Sequence, residues 1–567
     1  MKNGIYLTIS KIFVRKIYME YDVIVIGGGI NGTGIARDCA LRGFKTALFE
    51  KNDISSGATG ACSGMIHGGV RYLMYEVSTT KKSCLDSGYI QKIAPFLIFR
   101  IPFILPVTKE KWSRIYLELA DAYFNAYDWF VPLKRGKPHT FIKGEVLKKI
   151  EPLLKGNFEG AVTIDEWGVD PFRLCVLNAL SAEENGADIF THCEVKEIIR
   201  ENGKVKGVKV FDRIKKEFRE VMGKVVINAG GPWLSRIARI ADCDVKIRPG
   251  KGVHLIFERR LSNYGVIFRA IDGRQVFVMP HDNSYILGTT DDDYYGDLDA
   301  LYATHDEVEY LLQAAERFIP DIRKHRIMRA MVGIRCTLYK WGINEDMLSR
   351  AHKIYDGKEF GADGFFTIAG GKLASFRLMA EEMGDVVSQK LGLKTSSSTH
   401  KIPLPGAEKE VSLTELSKKF NLPLYYLKRA YRKYGSRIEE VLKIAEEVDT
   451  GFNVVCKCEP VIDAEIRYAI RREWAKNLVD VRRRTRLGTG GCQGMRCGFN
   501  AALILAEELG LKPDDAFDIY LEFVKERWKG KAPVLSYGWL PQEEFFRRAI
   551  DLKNIKRGLK SIKIPYP

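Results

Sequence analysis

YDVIVIGGGINGTGIARDCALRGFKTALFE, at residues 21–50, contains the strongest structural signal in the sequence. Its first apolar run, residues 23–26, leads into Gly27, Gly29 and Gly32, which match the pattern G-x-G-x-x-G. The first glycine permits a tight turn, the second lets backbone approach a pyrophosphate, and the third lets a helix pack closely on the strand. The pattern therefore predicts a strand that ends in a phosphate-binding turn.

The rest of this stretch has the features that such a turn requires. A helix is predicted over residues 34–42, with Gly43 ending it, and a second strand over 46–49 runs into Glu50. The helix N-terminus offers unpaired N–H groups to phosphates, and the acid can accept hydrogen bonds from a ribose. We predict a dinucleotide-binding unit; the alternative is a structural glycine turn in another α/β protein.

Length and charge narrow the class of protein. A chain of 567 residues is too long for one core, so we expect two to four domains. The formal net charge of +17 would suit nucleic acid, an anionic membrane or an anionic substrate. Because the positive charge is spread along the chain without a nucleic-acid-binding motif, we expect no nucleic acid partner.

The chain start and the cysteines indicate the compartment. Residues 1–20 are apolar and basic; we interpret them as an overlong start with Met19 as the initiator, and a membrane-surface leader is the alternative. No signal peptide is visible, and no segment has the roughly 20 apolar residues that span a bilayer. With eleven cysteines and no sign of secretion, we predict a reducing cytosol.

Several later segments bear on the site. Residues 51–73 are rich in Gly, Ser and Thr, which predicts a loop in close contact with a flat ligand. Residues 93–107 are apolar but interrupted by prolines; we predict buried strands, with a membrane-dipping surface as the alternative. Strands at 224–228 and 365–369 run into glycine turns and are expected to rejoin the first sheet. This interrupted layout is typical of flavoenzymes.

Six motifs, in order, resemble a known family: VIGGGINGTGIARDCALRG, IHGGVRYL, VDPFRL, INAGGPW, GIR and GGKLASFRLMAE. They are similar to the FAD-dependent glycerol-3-phosphate dehydrogenases, within the flavin oxidoreductases that include D-amino-acid oxidase. With the C-terminal cysteines, the chain most resembles the catalytic subunits of the anaerobic, multi-subunit branch. Residues 75–130 look more like the single-subunit, membrane-associated branch.

The resemblance implies an α/β fold of the D-amino-acid-oxidase and glutathione-reductase type. A Rossmann-like FAD-binding domain would be interleaved with an antiparallel-sheet substrate domain and followed by a small helical iron–sulfur module. The expected organisation is a FAD-dependent oxidoreductase domain at 21–394 (FAD-binding pieces about 21–75, 150–245 and 330–394; substrate pieces about 76–149 and 246–329), a linker and helical region at 395–450, a ferredoxin-like module at 451–508 and a helical tail at 509–567.

A phosphate-bearing substrate requires cations, preferably arginine, and alcohol oxidation requires a base. The resemblance places these substrate-binding residues around the substrate: Arg71, Tyr72, His254, Arg335, Arg350 and Lys372. Of these, His254, Arg335 and Lys372 are expected to be catalytic. His254 is the first choice for the base, since an ordinary imidazole titrates near neutral pH, and His67 is the second.

The resemblance also implies the cofactor and its contacts. The cofactor is FAD, with Val195 contributing only backbone. The expected cofactor-binding residues are Gly27, Gly29, Gly32, Glu50, Thr59, Ser63, Met65, His67, Val195, Gly230 and Gly371.

Four cysteines near the C-terminus form a candidate metal site: Cys456, Cys458, Cys492 and Cys497. Four thiolates suit either zinc or a [2Fe–2S] cluster. The C-x-C pair is tight for a zinc ribbon, and TGGCQGMRC resembles the loop of bacterioferritin-associated ferredoxins, so we predict [2Fe–2S], with zinc or no metal as alternatives. Arg482–Arg484 and Arg486 would raise the cluster potential, or would be a solvated helix face.

The predicted function is oxidation of sn-glycerol 3-phosphate to dihydroxyacetone phosphate by hydride transfer from C2 to flavin N5. Electrons would pass through the cluster to a partner subunit or quinone. The alternatives are a flavin dehydrogenase of a 2-hydroxy acid or amine, and an electron-carrier or scaffold subunit. We expect a cytoplasmic protein that associates peripherally with the membrane through a partner.

Overall fold

The computed structural model describes residues 20–74, 76–343 and 351–556, apart from the side chains of Arg71 and residues 551–556. The strands are β1 Glu20–Ile26, β2 Thr46–Phe49, β3 Met65–Ile66, β4 Ile98–Thr108, β5 Phe141–Lys143, β6 Phe158–Val169, β7 Asp188–Phe190, β8 Cys193–Glu201, β9 Lys204–Asp212, β10 Glu217–Asn228, β11 Ile247–Phe257, β12 Gly265–Arg269, β13 Gln275–His281, β14 Ser284–Gly288, β15 Asp292–Asp293, β16 Ile327–Leu338, β17 His352–Asp356, β18 Phe365–Gly370, β19 Val454–Cys456 and β20 Val461–Ile462.

The helices are α1 Ile30–Leu41, α2 Val77–Ile93, α3 Ser113–Asp128, α4 Gly144–Ile150, α5 Pro171–Glu184, α6 Leu234–Ile240, α7 His305–Glu316, α8 Phe376–Lys390, α9 Leu413–Phe420, α10 Leu424–Tyr434, α11 Ile438–Glu447, α12 Asp463–Arg472, α13 Leu478–Thr485, α14 Gly498–Glu508, α15 Asp515–Lys531 and α16 Leu540–Lys556. None of the helices in the described part of the chain combines the length and apolar composition needed to cross a bilayer.

The first sheet is the predicted nucleotide-binding sheet. Its parallel core has the order β18-β10-β1-β2-β7, and β17 and β9 add antiparallel strands. The core strands are apolar and buried because helices α1, α5 and α8 pack on the sheet. The predicted return of the later glycine turns to this sheet is confirmed, since β10 pairs with β1 and β18 pairs with β10.

Two glycines in the first turn have no room for a side chain. Gly27 has φ +115°, and a Cβ there would lie 2.5 Å from the carbonyl oxygen of Ala229. A Cβ on Gly32 would lie 1.8 Å from the carbonyl oxygen of Gly27. The turn, α1 and β10 therefore approach one another as the motif predicts, although α1 begins at Ile30, earlier than expected.

The second sheet is mainly antiparallel and carries the opposite wall of the site. Its order is β15-β11-β14-β13-β12-β4-β6-β3, with β16 paired to β11 and β5 to β6. The expected buried strand within residues 93–107 is β4, paired antiparallel with β6. The predicted boundaries at 150 and 330 require correction, because β6 and most of β16 belong to this sheet and not to the FAD-binding pieces.

The segment expected to be a linker is packed against the nucleotide-binding domain. The guanidinium of Arg37, on α1, donates to the carbonyl oxygens of Thr399 at 3.2 Å and Ile402 at 2.6 Å. Thr399 and Leu404 are buried. This part of the chain thus belongs to the body of the protein because it supplies the hydrogen-bond acceptors for a buried arginine.

Helices α9–α16 surround the short hairpin β19–β20, and the last of them return to the second sheet. Trp539 is fully buried, and its Nε1 donates to the carbonyl oxygen of Ile327 at 2.7 Å. Buried Arg484, on α13, donates to both carboxylate oxygens of Asp53, at 2.6 and 2.8 Å. The interpretation of Arg482–Arg484 as a solvated helix face is therefore wrong for Arg484.

Candidate functional site

A cavity of ≈ 580 Å³ lies between the two sheets and brings together most of the predicted site. The predicted residues that line it are Gly27, Gly29, Glu50, Thr59, Ser63, Met65, His67, Tyr72, Val195, Gly230, His254, Arg335, Gly371 and Lys372. Gly32 lies behind the turn, where it packs against Gly27. Arg350 and the side chain of Arg71 lie outside the described part of the structure.

The glycine-lined end of the cavity fits the phosphates and ribose of a dinucleotide. Gly29 is the N-cap of α1 and lines the cavity, so the backbone at the positive end of this helix faces the cavity. The Thr59 hydroxyl accepts a hydrogen bond from the N–H of Ile30 at 3.1 Å. This places a second polar group at the same helix end.

Glu50 holds the turn as well as lining the cavity. Its carboxylate accepts hydrogen bonds from the N–H of Gly28 at 2.7 Å and of Asn52 at 2.8 Å. Burial raises the pKa of Glu50, and these two hydrogen bonds oppose the shift. A carboxylate has further acceptor positions, so Glu50 can still bind a ribose hydroxyl from this position.

The polar end of the cavity is formed where β11 meets β16. Arg335, on β16, donates to Asp291 Oδ1 at 2.8 Å and, through its other terminal nitrogen, to Thr289 Oγ1 and the Thr290 carbonyl oxygen, each at 3.0 Å. A Cβ on Gly252 would lie 2.8 Å from this guanidinium. The glycine in β11 therefore makes the space that the arginine occupies.

His254 lies on the same strand as Gly252 and is buried beside Arg335. Its Nδ1 has no hydrogen-bond partner among the described residues. Burial, reinforced by the positive charge of Arg335, lowers the pKa of His254 to about 3. The expectation that this histidine titrates near neutral pH is corrected, because burial beside a cation keeps the imidazole neutral.

His67 and Lys372 face the cavity in different settings. His67 Nδ1 accepts a hydrogen bond from the N–H of Gly69 at 3.1 Å, so a neutral His67 carries its proton on Nε2. The Lys372 ammonium lies 3.4 Å from the ring centroid of Tyr72, a cation–π contact. That contact holds the ammonium of Lys372 against the Tyr72 ring in the wall of the cavity.

Two residues important for this geometry were not predicted. Asp291 and Thr289, after β14, hold the Arg335 guanidinium in place. The polar run GTTDDD at 288–293, directly after a buried strand, is the only local signal that could have indicated them.

The four C-terminal cysteines are adjacent. The Cys458 and Cys492 sulfur atoms are 3.8 Å apart, and a hydrogen bond from Cys497 lowers the pKa of Cys456 to about 6. The thiols do not have the geometry of a complete metal site, since no three His, Cys, Asp or Glu side chains of the described residues are placed to hold a metal ion. Four converging sulfurs nevertheless form a donor set of the right chemistry.

Comparison with known proteins agrees with this geometry. Residues 22–377 match the family described as FAD dependent oxidoreductase, and residues 397–516 match the C-terminal domain of alpha-glycerophosphate oxidase. The chain is 35% identical to a subunit of the anaerobic glycerol-3-phosphate dehydrogenase of Haemophilus influenzae, over 91% of this chain and 90% of that protein. It is 34% identical to the Escherichia coli subunit of the same name over 93% and 95%.

A solved structure resembles the whole fold. The glycerol-3-phosphate dehydrogenase from Bacillus halodurans, complexed with FAD, superposes with a TM-score of 0.73 and 25% identity, covering 91% of this chain and 96% of that one. The predicted fold class, with its interleaved sheets and helical C-terminal part, is confirmed, and so is the FAD cofactor. This chain belongs to the FAD-dependent oxidoreductase family, in the group that includes these subunits of the anaerobic glycerol-3-phosphate dehydrogenases.

Proposed function

We propose that this protein oxidises sn-glycerol 3-phosphate to dihydroxyacetone phosphate with FAD as the hydride acceptor. The main support for this proposal is that Arg335, Lys372 and buried His254 all line the glycine-lined cavity. Two cations suit a phosphate dianion, and the names of the relatives agree with this substrate. Bound FAD would supply the acceptor for the C2 hydride.

The protein's own groups would bind the phosphate and take up the hydroxyl proton. Arg335 is held rigidly by Asp291, so its guanidinium is preorganised for an anion. His254 is neutral in the free enzyme and has an unpartnered Nδ1 among the described residues, so it can accept a proton. A phosphate dianion bound nearby favours the imidazolium, which raises the basicity of His254 only when substrate is present.

This arrangement favours His254 over His67 as the base. The Nδ1 lone pair of His67 is already used by the N–H of Gly69, which leaves its Nε2 as a donor in the neutral ring. A donor is suited to holding the substrate oxygen or the flavin and not to removing a proton. We therefore assign His254 as base and His67 as a positioning residue.

The test is anaerobic flavin reduction. Glycerol 3-phosphate added to the purified FAD protein is expected to bleach the flavin band, and glycerol or a 2-hydroxy acid at the same concentration is expected to leave it unchanged. If dithionite reduces the flavin but glycerol 3-phosphate does not, the proposal is refuted. Bleaching by a hydroxy acid or amine instead would establish the alternative dehydrogenase.

We further propose that Cys456, Cys458, Cys492 and Cys497 bind a [2Fe–2S] cluster that relays electrons to a partner subunit or quinone. The convergence of the four sulfurs supports this, and the word "subunit" in the names of the relatives supports a partner. Iron and sulfide analysis with electron paramagnetic resonance of the reduced protein tests it. Stoichiometric zinc, or no metal, would refute the cluster.

We propose that the protein associates peripherally with the membrane, through a partner and also through a direct contact between lipid and the exposed face of α3. Trp112, Ile115, Tyr116 and Leu119 follow helical spacing and are 48–64% exposed. Exposed Lys109 and Lys111 adjoin the stripe. Aromatic and aliphatic side chains beside lysines suit the interface of an anionic bilayer.

Co-sedimentation with vesicles containing anionic phosphatidylglycerol tests this surface. The double variant Trp112→Ser/Leu119→Ser is expected to lose most of the bound fraction. Tyr425→Ser, at an exposed tyrosine on α10, is the matched control and is expected to bind as the natural sequence does. Equal binding by the natural sequence, the double variant and the control would show that α3 does not contact the lipid.

We place the protein in the cytoplasm. The cysteines support this, because none of the eleven is paired in a disulfide in the structure.

A further inference from the structure

A second cavity, of ≈ 1040 Å³, lies between the nucleotide-binding loop and the cysteine module. Residues 58, 61 and 62 of that loop and residues 333–334 of β16 line both cavities, so the two share a wall. On the far side, Thr489 and Gly490 of the cysteine-bearing loop complete the lining. The second cavity is thus next to the flavin site but distinct from the end that carries Arg335 and Lys372.

The carboxylates that line this cavity already have cationic partners. Asp53 pairs with Arg484, Glu459 with Arg486, and Asp480 with Arg483. The remaining acidic lining residues are likewise paired: Asp170, Glu194, Glu258, Asp299, Glu522 and Glu526.

Two arginines in the lining differ from the others. Arg329, on β16, and Arg482, on α13, are partly buried, and neither makes a hydrogen bond or ion pair with any residue in the described ranges. Burial and the charge of Arg486 lower the pKa of Arg329 to about 10. Burial and neighbouring arginines, Arg329 among them, lower the pKa of Arg482 well below its ordinary value, and the charge of Glu526 opposes this shift only in part. Two neighbouring, partly buried cations that form no ion pair are costly unless an anion neutralises them.

We propose that this cavity binds an organic anion with a phosphate group, held by Arg329 and Arg482. Guanidinium groups recognise phosphate by paired N–H donors, and two of them facing one space match its charge. The volume is in the range of small-molecule sites. Apolar walls suit the organic part of such a ligand: Phe172, Ile256, Met328, Met331, Ile519 and Phe523.

Calorimetric titration of the FAD-loaded protein tests the site, with phenyl phosphate and inorganic phosphate as the two probes. We expect phenyl phosphate to bind, and the double variant Arg329→Gln/Arg482→Gln to bind it at least tenfold more weakly. Arg114→Gln, at an exposed arginine on α3, is the control and should bind normally. Equal dissociation constants for the double variant and the natural sequence would overturn the proposal.

Two further measurements separate this site from the substrate site and from loss of folding. Arg335→Gln should retain the binding that the double variant loses, because Arg335 lines the other cavity; loss in this variant instead would place the anion in the substrate site and overturn the proposal. Without anion, the double variant should melt no lower than the natural sequence, since it removes like-charge repulsion. A lower melting temperature would show that the arginines stabilise the protein by themselves and would contradict the argument.

The two probes also distinguish the sources of phosphate. Tighter binding of phenyl phosphate supports an organic phosphate, as the apolar walls predict. If only inorganic phosphate binds, and the double variant does not bind it, the two arginines form an anion site. That result would overturn the proposal that the ligand is an organic phosphate. The flavin reduction assay with glycerol 3-phosphate is independent of both results, so failure of one proposal does not imply failure of the other.

Discussion

Replacing Asp53 by Asn removes a negative charge from the contact that joins the nucleotide-binding loop to α13. The Asp53 carboxylate is 1% exposed and receives hydrogen bonds from Arg484, at 2.6 and 2.8 Å, and from Arg483, at 3.0 Å. Arg484 is itself fully buried. The variant keeps the side-chain shape but leaves that guanidinium without its counter-ion.

The expected loss is large because the pair is buried. Removing one partner of a buried ion pair costs about 3–5 kcal/mol, since the remaining charge is uncompensated. For a cooperative unit of roughly 150–250 residues, this corresponds to a fall in melting temperature of roughly 6–20 °C. Thermal unfolding of the FAD-loaded protein, followed by circular dichroism, measures the shift.

Asp22→Asn provides the matched control. Asp22 pairs with Lys224, whose side chain is more than half exposed, so losing this pair should have little effect. If Asp53→Asn and Asp22→Asn lower the melting temperature equally, the buried contact with α13 does not stabilise the protein more than an exposed ion pair does, contrary to this prediction.

The pH dependence of stability gives a second measure of the same contact. Burial opposes ionisation of Asp53, but Arg484 and Arg483 outweigh it and lower the pKa of this carboxyl below its ordinary value. The stabilisation is therefore present above the pKa of an unfolded aspartate, about 3.9, and is lost as pH falls through the lower folded pKa. Asp53→Asn should lack this acid-dependent component.

Three further outcomes are expected. Gly27→Ala should lose FAD absorbance, because its Cβ would lie 2.5 Å from a backbone oxygen at φ +115°, whereas Gly43→Ala, at positive φ but in open space, should keep the cofactor. The pH profile of kcat/KM should show no fall in rate from protonation of His254 near pH 6.5, since the pKa of His254 is about 3 in the free enzyme. A fall near pH 6.5 that His254→Gln abolishes would contradict the low pKa of His254. Arg335→Lys should raise KM for glycerol 3-phosphate and lower kcat/KM by about 10–150-fold, because a hydrogen bond to a charged group contributes about 1.5–3 kcal/mol. The flavin content of this variant should be unchanged, which serves as the control.

The sequence predicted the elements whose signals are local. The strand, glycine turn, helix and acid of residues 21–50 lie close together in the chain, so their spacing alone indicates the nucleotide-binding unit. The predicted strand at 46–49 has the observed boundaries of β2. Cys456, Cys458, Cys492 and Cys497 were likewise identified from spacing, and the structure brings their sulfurs together.

Boundaries and interactions between distant segments were less predictable. The first part of the linker and helical region expected at 395–450 is packed because Arg37, far away in the chain, requires its carbonyl oxygens. The residues that hold Arg335, chiefly Asp291, could be identified only once β11, β14 and β16 were seen side by side.

The fold family and the cofactor class could therefore be read from the sequence, and most of the residues predicted for the site do line the first cavity. The chemical state of those residues depends on the tertiary structure. His254 is neutral because folding buries it beside a cation, and Arg484 is paired because folding brings Asp53 to it. Arg329 and Arg482 are neighbours that form no ion pair with the described residues for the same reason: burial and electrostatic interaction depend on distances in space, which the order of residues does not specify.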